Sequence, residues 1–208
     1  MMRVCATAAK LGLPDTGYIS YGEMIDAGRD ICTAVTIPIL ADGDTGYGNA
    51  MNVKRTVKGY AATGFASIMI EDQVAPKRCG HTKGKDVVSR NEALQRVRAA
   101  VDARDEGADI LILARTDARG VLGMDEALER VRLFEEAGAD IVFLEAPESI
   151  EEMRMHCQAG LRVPMLAGIL PPCTHRLLAS LDSQAHAQSK CTRDICSCAP
   201  GTALTTDN

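Results

Sequence analysis

Thr63-Gly64-Phe65-Ala66-Ser67-Ile68-Met69-Ile70-Glu71-Asp72 joins a glycine, a mostly apolar run and two carboxylates. The run is not an apolar/polar alternation, as expected of a strand covered on both faces in a parallel sheet. Upstream, Asn49 is placed to cap a helix with Val53, Val57 and Tyr60 on its inner face. Gly64 then falls where a left-handed helix cap is needed. The same phrase recurs twice: Glu106-Gly107-Ala108-Asp109 leads through Ile110–Ala114 to Arg115-Thr116-Asp117, and Ala137-Gly138-Ala139-Asp140 leads through Ile141–Leu144 to Glu145. The helices between carry Leu94, Val97 and Val101, then Ala127, Val131 and Phe134.

Working outward, Ser20-x-x-Glu23, Ser89-x-x-Glu92 and Ser149-x-x-Glu152 read as capping boxes. The first opens a helix with Met24, Ala27 and Ile31 on one face, followed by the apolar run Pro38-Ile39-Leu40-Ala41 and then Asp42-Gly43-Asp44-Thr45-Gly46-Tyr47-Gly48. The last precedes Val163-Pro164-Met165-Leu166. Alternating helix and strand means an α/β fold, either a barrel or an open doubly wound sheet. Asp42 and Asp44, Glu71 and Asp72, Arg115 and Asp117, and Glu145 stand at the ends of successive strands. In a (β/α)8 barrel such ends meet around one mouth, whereas in an open sheet they string out along an edge. The expected fold is therefore a partial (β/α)8 TIM-type barrel, with about five of the eight strands. It occupies residues 1–168, and residues 169–208 form a divergent tail that reads as disordered.

With 208 residues, 46% of them hydrophobic, the chain can bury a sizeable core. Its net charge of -5, with scattered lysines and arginines, gives no electrostatic support for a nucleic-acid or membrane-surface partner. The start, Met1-Met2-Arg3-Val4-Cys5, is not built like a signal peptide. The eight cysteines then read as free thiols in a reducing compartment, the cytoplasm first. An organelle stays open, because the N-terminus reads as truncated.

Asp42, Asp44 and Glu71 offer hard oxygen ligands of the kind that suit Mg2+, with Mn2+ the alternative. Equally, the two aspartates could only shape a Gly-rich turn. Arg115 could hold a carboxylate or phosphate bidentately, or pair with a strand-end acid. Glu145 could be a ligand anchor, a base or that partner, and Asp117 a turn or capping residue. In Lys77-Arg78-Cys79-Gly80-His81 two cations and an imidazole surround a thiol, the setting of a reactive cysteine, or else of a buried structural one beside a solvated charge cluster. His81 could tune Cys79 or cap the loop. Together a cation, an arginine and a cysteine can bind a 2-oxo or 2-hydroxy acid, stabilise an enolate and protonate it, which is lyase chemistry.

Lys77-Arg78-Cys79-Gly80-His81 resembles the signature of the isocitrate lyase and phosphoenolpyruvate mutase superfamily. Leu13-Pro14-Asp15, Asp42 to Gly48, Ile70-Glu71-Asp72-Gln73, Ala114-Arg115-Thr116-Asp117 and Leu144-Glu145-Ala146 match the same family in the same order. The resemblance is strongest to its short 2-methylisocitrate lyase-like and carboxyphosphonoenolpyruvate mutase-like members. It implies a barrel whose last helix swaps within a homo-oligomer. Asp42 and Asp44 are implied at the Mg2+ site, joined through water by Glu71 and Asp15. Cys79 is implied as acid/base, with Lys77 and His81 beside it; Gly80, Arg115 and Glu145 are implied as contacts to a small carboxylic-acid substrate. A cysteine in this loop favours carbon-carbon cleavage over carbon-phosphorus rearrangement. The family's Ser-Gly carboxylate cradle has no match before Ala8-Ala9-Lys10-Leu11, and Gly168-Ile169-Leu170-Pro171-Pro172 replaces its Asn-containing loop. Truncation at both ends is the expectation, with a catalytically inactive, unstable or subunit-interacting fragment as the alternative to an active lyase.

Overall fold

A computed structural model describes residues 10–13, 16–78 and 84–168. Its elements run α1 (Tyr21–Ala34), β1 (Leu40–Asp42), α2 (Ala50–Thr63), β2 (Ser67–Glu71), α3 (Arg90–Asp105), β3 (Leu111–Thr116), α4 (Arg119–Leu122), α5 (Met124–Glu136), β4 (Ile141–Glu145), α6 (Ile150–Cys157) and β5 (Met165–Gly168). The five strands form one sheet in the order β1-β2-β3-β4-β5, every pair parallel. The expected α/β partial barrel is therefore present, with its strands in sequence order. The tail expected at 169–208 lies outside the described residues.

Local chemistry sets the boundaries. Gly64, Gly107 and Gly138 have φ of 99, 107 and 98°, the left-handed conformation that ends a helix at little cost only for glycine. Ser20 and Glu23 make a full capping box. The boxes expected at Ser89 and Ser149 are half made. Each serine accepts the backbone N–H three residues on, but Glu92 pairs with Arg96 and Glu152 with Arg119. A complete box forms instead between Asn49 and Asn52. The first strand starts at Leu40 rather than at Pro38, which has no N–H to give to a ladder.

Side-chain alternation divides the sheet. Ala41, Ile68, Ile70, Ile112, Ala114 and Val142 are buried and join the core made with the helices. On the other face Met69, Leu113 and Phe143 are buried together, with Leu40, Ile141 and Leu166 packed on them. Both faces are thus apolar over most of their length, which is why the strand runs do not alternate. Above the second layer, at the C-terminal strand ends, the inward positions turn polar.

One buried imidazole pins α6 to β5. His156 is 2% exposed, and its Nε2 lies 3.2 Å from the Leu166 carbonyl oxygen. A carbonyl only accepts, so Nε2 carries the proton and the neutral tautomer leaves Nδ1 bare. Burial pushes the His156 pKa below its ordinary value near 6.5, outweighing the bond to Leu166. A depressed imidazole stays neutral when folded while the unfolded chain takes up a proton. Its contribution to stability is therefore full above the ordinary value and is lost as pH falls below it. Between pH 7 and 5 the wild type is expected to lose more stability than His156→Gln, as read by urea denaturation.

Candidate active site

Four neighbouring strands deliver charged side chains to one place. Glu71 and Arg115 are register partners on β2 and β3, and their side chains approach to 3.6 Å. From β4, Glu145 Oε2 lies 3.6 Å from Arg115 Nη1. Asp42 ends β1, and Asp44 follows in the loop. All five are at most 5% exposed. Lys77 reaches in from the segment after β2, its Nζ 3.5 Å from Asp44 Oδ1. Phe143 lies beneath, its ring centre 5.4 Å from the Arg115 guanidinium carbon. A buried polar layer thus rests on an apolar floor.

The aspartate loop is held tightly. Asp42 Oδ1 accepts the Asp44 backbone N–H at 2.9 Å, and the Tyr60 hydroxyl donates to the Asp42 carbonyl at 3.0 Å. Asp44 and Tyr47 take φ of 50 and 61°, uncommon for residues with a Cβ. A side chain at Gly43 would meet Ile68 at 2.8 Å, so that turn requires glycine. Gly168 serves the opposite rim: a Cβ there would lie 2.5 Å from Glu145 Oε2.

Glu71 is the least compensated member. Neither of its carboxylate oxygens has a hydrogen-bond partner among the described residues. Burial pushes its pKa up to about 8; Arg115 and Lys77 pull it down, while Asp117 and Asp42 push it further up. Burial alone would lower the Arg115 pKa, but Asp117, Glu71 and Glu145 outweigh it and hold the guanidinium charged. Asp42, Asp44, Glu71, Asp117 and Glu145 face Lys77, Lys85 and Arg115, so acidic groups outnumber cations even before Glu71 is counted.

Among the described residues no three His, Cys, Asp or Glu groups converge closely enough to hold a metal by themselves. Mg2+ does not need such a cage, being commonly held by one or two carboxylates with several waters. The orphaned Glu71 oxygens, two neighbouring buried aspartates and an excess of negative charge fit a divalent cation. Of the residues picked from sequence, Asp42, Asp44, Glu71, Lys77, Arg115 and Glu145 come together. Asp15, Cys79, Gly80 and His81 lie outside the described residues.

Two expectations need correction. Asp72, read as sharing the mouth with Glu71, points the other way, because successive strand residues face opposite sides. Its carboxylate accepts from Thr116 Oγ1 at 2.6 Å, the Asp117 N–H at 2.8 Å and Arg130 Nη1 at 3.0 Å. Asp117, read as a turn or capping residue, is instead fully buried and grips Arg115 through both carboxylate oxygens. Lys85, Arg96 and Arg130 were not anticipated. Arg96 donates to the carbonyls of Glu71 and Gln73 at 3.2 and 2.7 Å and fixes the exit of β2. Arg130 shares the helical face of Ala127, Val131 and Phe134, and a cation on such a face signals a buried partner.

Two cavities, of about 490 Å3 near Phe65, Arg104 and Leu111 and about 440 Å3 near Tyr21, Tyr47 and Arg55, do not contain the acidic cluster. Chemistry rather than volume marks the site. The family model described as phosphoenolpyruvate phosphomutase matches residues 4–183. The chain belongs to this family, within the phosphoenolpyruvate mutase and isocitrate lyase superfamily. It is 50% identical over 148 residues to a 2,3-dimethylmalate lyase of Eubacterium barkeri, covering 71% of this chain and 51% of that protein. A 2-methylisocitrate lyase of Aeropyrum pernix is 45% identical over 164 residues, covering 79% and 52%. This family member thus spans about half the length of those relatives. A crystal structure of a 2,3-dimethylmalate lyase superposes with a TM-score of 0.76 at 31% identity, covering 88% of this chain and 71% of that one. A phosphonopyruvate hydrolase complex with oxalate and Mg2+ gives 0.68 at 28% identity, covering 86% and 69%.

Proposed function

We propose that this chain carries the substrate and metal face of a Mg2+-dependent lyase that cleaves a carbon-carbon bond in small 2-hydroxy or 2-oxo di- or tricarboxylic acids. The observation that supports it most is the buried layer of Asp42, Asp44, Glu71, Arg115 and Glu145 at successive strand ends. Relatives named as lyases of 2,3-dimethylmalate and 2-methylisocitrate, and one complex holding oxalate with Mg2+, point to the same ligand class.

Asp42 and Asp44 would hold the cation, with Glu71 and Asp15 acting through water. When bound, the cation supplies positive charge beside the substrate oxygens. Arg115 pairs with a substrate carboxylate, and Glu145, close to Nη1, restricts what can lie against it. In the cleavage direction Glu145 would take the proton of the substrate hydroxyl as the carbonyl forms, the carbon-carbon bond breaks, and its electron pair passes to the departing enolate. Cys79 delivers a proton to that carbon, and the buried layer keeps water away from the carbanionic centre. Lys77 and His81, its neighbours in sequence, would supply positive charge beside the thiol.

Calorimetry on the purified chain, with an Asp42→Ala/Asp44→Ala control, tests the cation site. Heat of Mg2+ binding is expected in the wild type and not in the control. Cys79→Ser should then retain Mg2+ and oxalate binding but lower cleavage of 2-hydroxy dicarboxylates by about 10²–10⁴-fold. A folded wild type that binds no Mg2+ would sink the lyase proposal and favour the inactive, subunit-interacting alternative.

A further inference from the structure

Arg115 presents one closed edge and one open end. Its Nε donates to Asp117 Oδ2 at 2.9 Å and its Nη2 to Asp117 Oδ1 at 3.0 Å. A bidentate carboxylate fixes a guanidinium in plane as well as in position. The gripping carboxylate is itself held from two further sides. Lys85 Nζ donates to its Oδ1 at 2.9 Å, and its backbone N–H donates to Asp72 Oδ1. Asp72 is locked by Thr116 and Arg130, and Arg130 by Glu126 from α5. The Nη1 end of Arg115 is turned toward Glu145 instead, at 3.6 Å, too long for a hydrogen bond.

We infer that Asp117 is a positioning residue for substrate recognition: it clamps the side edge of Arg115 so that only the Nη1 end can meet a substrate carboxylate, and Lys85 completes the clamp. This rests on Arg115 being the substrate contact proposed above. Stability alone is a poor reason for the arrangement, because a buried ion pair often contributes no more than a well-packed apolar pair. Two cations sharing one fully buried carboxylate fix direction as well as charge. Lys85 follows the segment bearing Cys79, so one chain segment supplies both the acid/base and a strut for the carboxylate-binding group.

Oxalate is the probe, titrated by calorimetry into the 208-residue chain saturated with Mg2+. Asp117→Asn keeps the shape but turns an N–H toward Arg115. It is expected to weaken oxalate binding about tenfold or more while Mg2+ binding alone stays within about twofold of wild type. Lys85→Met is expected to weaken oxalate about threefold, and to add nothing in the Asp117→Asn background. Equal loss of Mg2+ and oxalate affinity in Asp117→Asn would mark a merely structural role and overturn the inference. If Asp117→Asn fails to fold, Lys85→Met decides: a selective loss of oxalate supports the clamp and none overturns it. Arg115→Lys separates the two levels. If it leaves oxalate binding intact, or if the wild type binds no oxalate, the substrate role of Arg115 falls and the clamp with it. If it weakens oxalate while both other variants match wild type, the contact stands and the clamp alone is wrong.

Discussion

Arg115→Met is expected to destabilise the fold by about 3–5 kcal/mol, the usual cost of removing one partner from a buried ion pair. Arg115 is 3% exposed and borders Asp117, Glu71 and Glu145, each itself buried. Methionine fills the volume but leaves those carboxylates facing one another without their shared cation. Lys85 still compensates Asp117, and Glu71 can take a proton. Glu145 loses the guanidinium 3.6 Å away. Arg115→Lys keeps the charge as a single point and cannot reproduce the two parallel bonds to Asp117, so its loss should be about half as large. Urea denaturation at pH 7.5 checks both. A methionine variant within about 1 kcal/mol of wild type would mean that the cluster is solvated and not the dry layer described.

The fold was legible because each unit repeats the same physical instructions. Asn49, Ser89 and Ser149 offer side-chain oxygens where helices start, Gly64, Gly107 and Gly138 allow left-handed ends, and the apolar runs fit strands covered on both faces. The strand-end position of Asp42, Glu71, Arg115 and Glu145 followed directly, and with it the barrel-type convergence. Orientation was harder. Glu71 and Asp72 are adjacent in sequence but occupy opposite faces, a distinction that needs the strand's phase, and an all-apolar run conceals it. Asp117 looked like a turn residue because Thr-Asp after a strand usually is one; only the backbone path two residues beyond Arg115 reveals the grip. Arg130 could have been found, since it interrupts the apolar face of Ala127, Val131 and Phe134. Lys85 could not, because nothing local ties it to a residue 32 positions away.

Glu71→Gln is expected to raise the stability of the cation-free protein at alkaline pH while weakening its Mg2+ binding. An acid whose folded pKa lies above its ordinary value favours the folded state only while protonated. That contribution is full below the ordinary value of 4.5 and is lost as pH rises through about 8. In EDTA the wild type should therefore lose a few kcal/mol from this site between pH 5 and 9, seen as a fall of melting temperature on the order of 10 °C. Glutamine mimics the protonated form and has no charge to bury, so this slope should vanish from Glu71→Gln. Mg2+ reverses the ranking. A dication beside the carboxylate favours its ionised form, so saturating Mg2+ should stabilise the wild type more at pH 8.5 than at pH 6, a difference the variant should lack. Differential scanning calorimetry across this pH range, with and without Mg2+, measures all four limbs. Parallel slopes for wild type and variant in EDTA would show that Glu71 is ionised throughout and that its compensation comes from within the protein rather than from a cation.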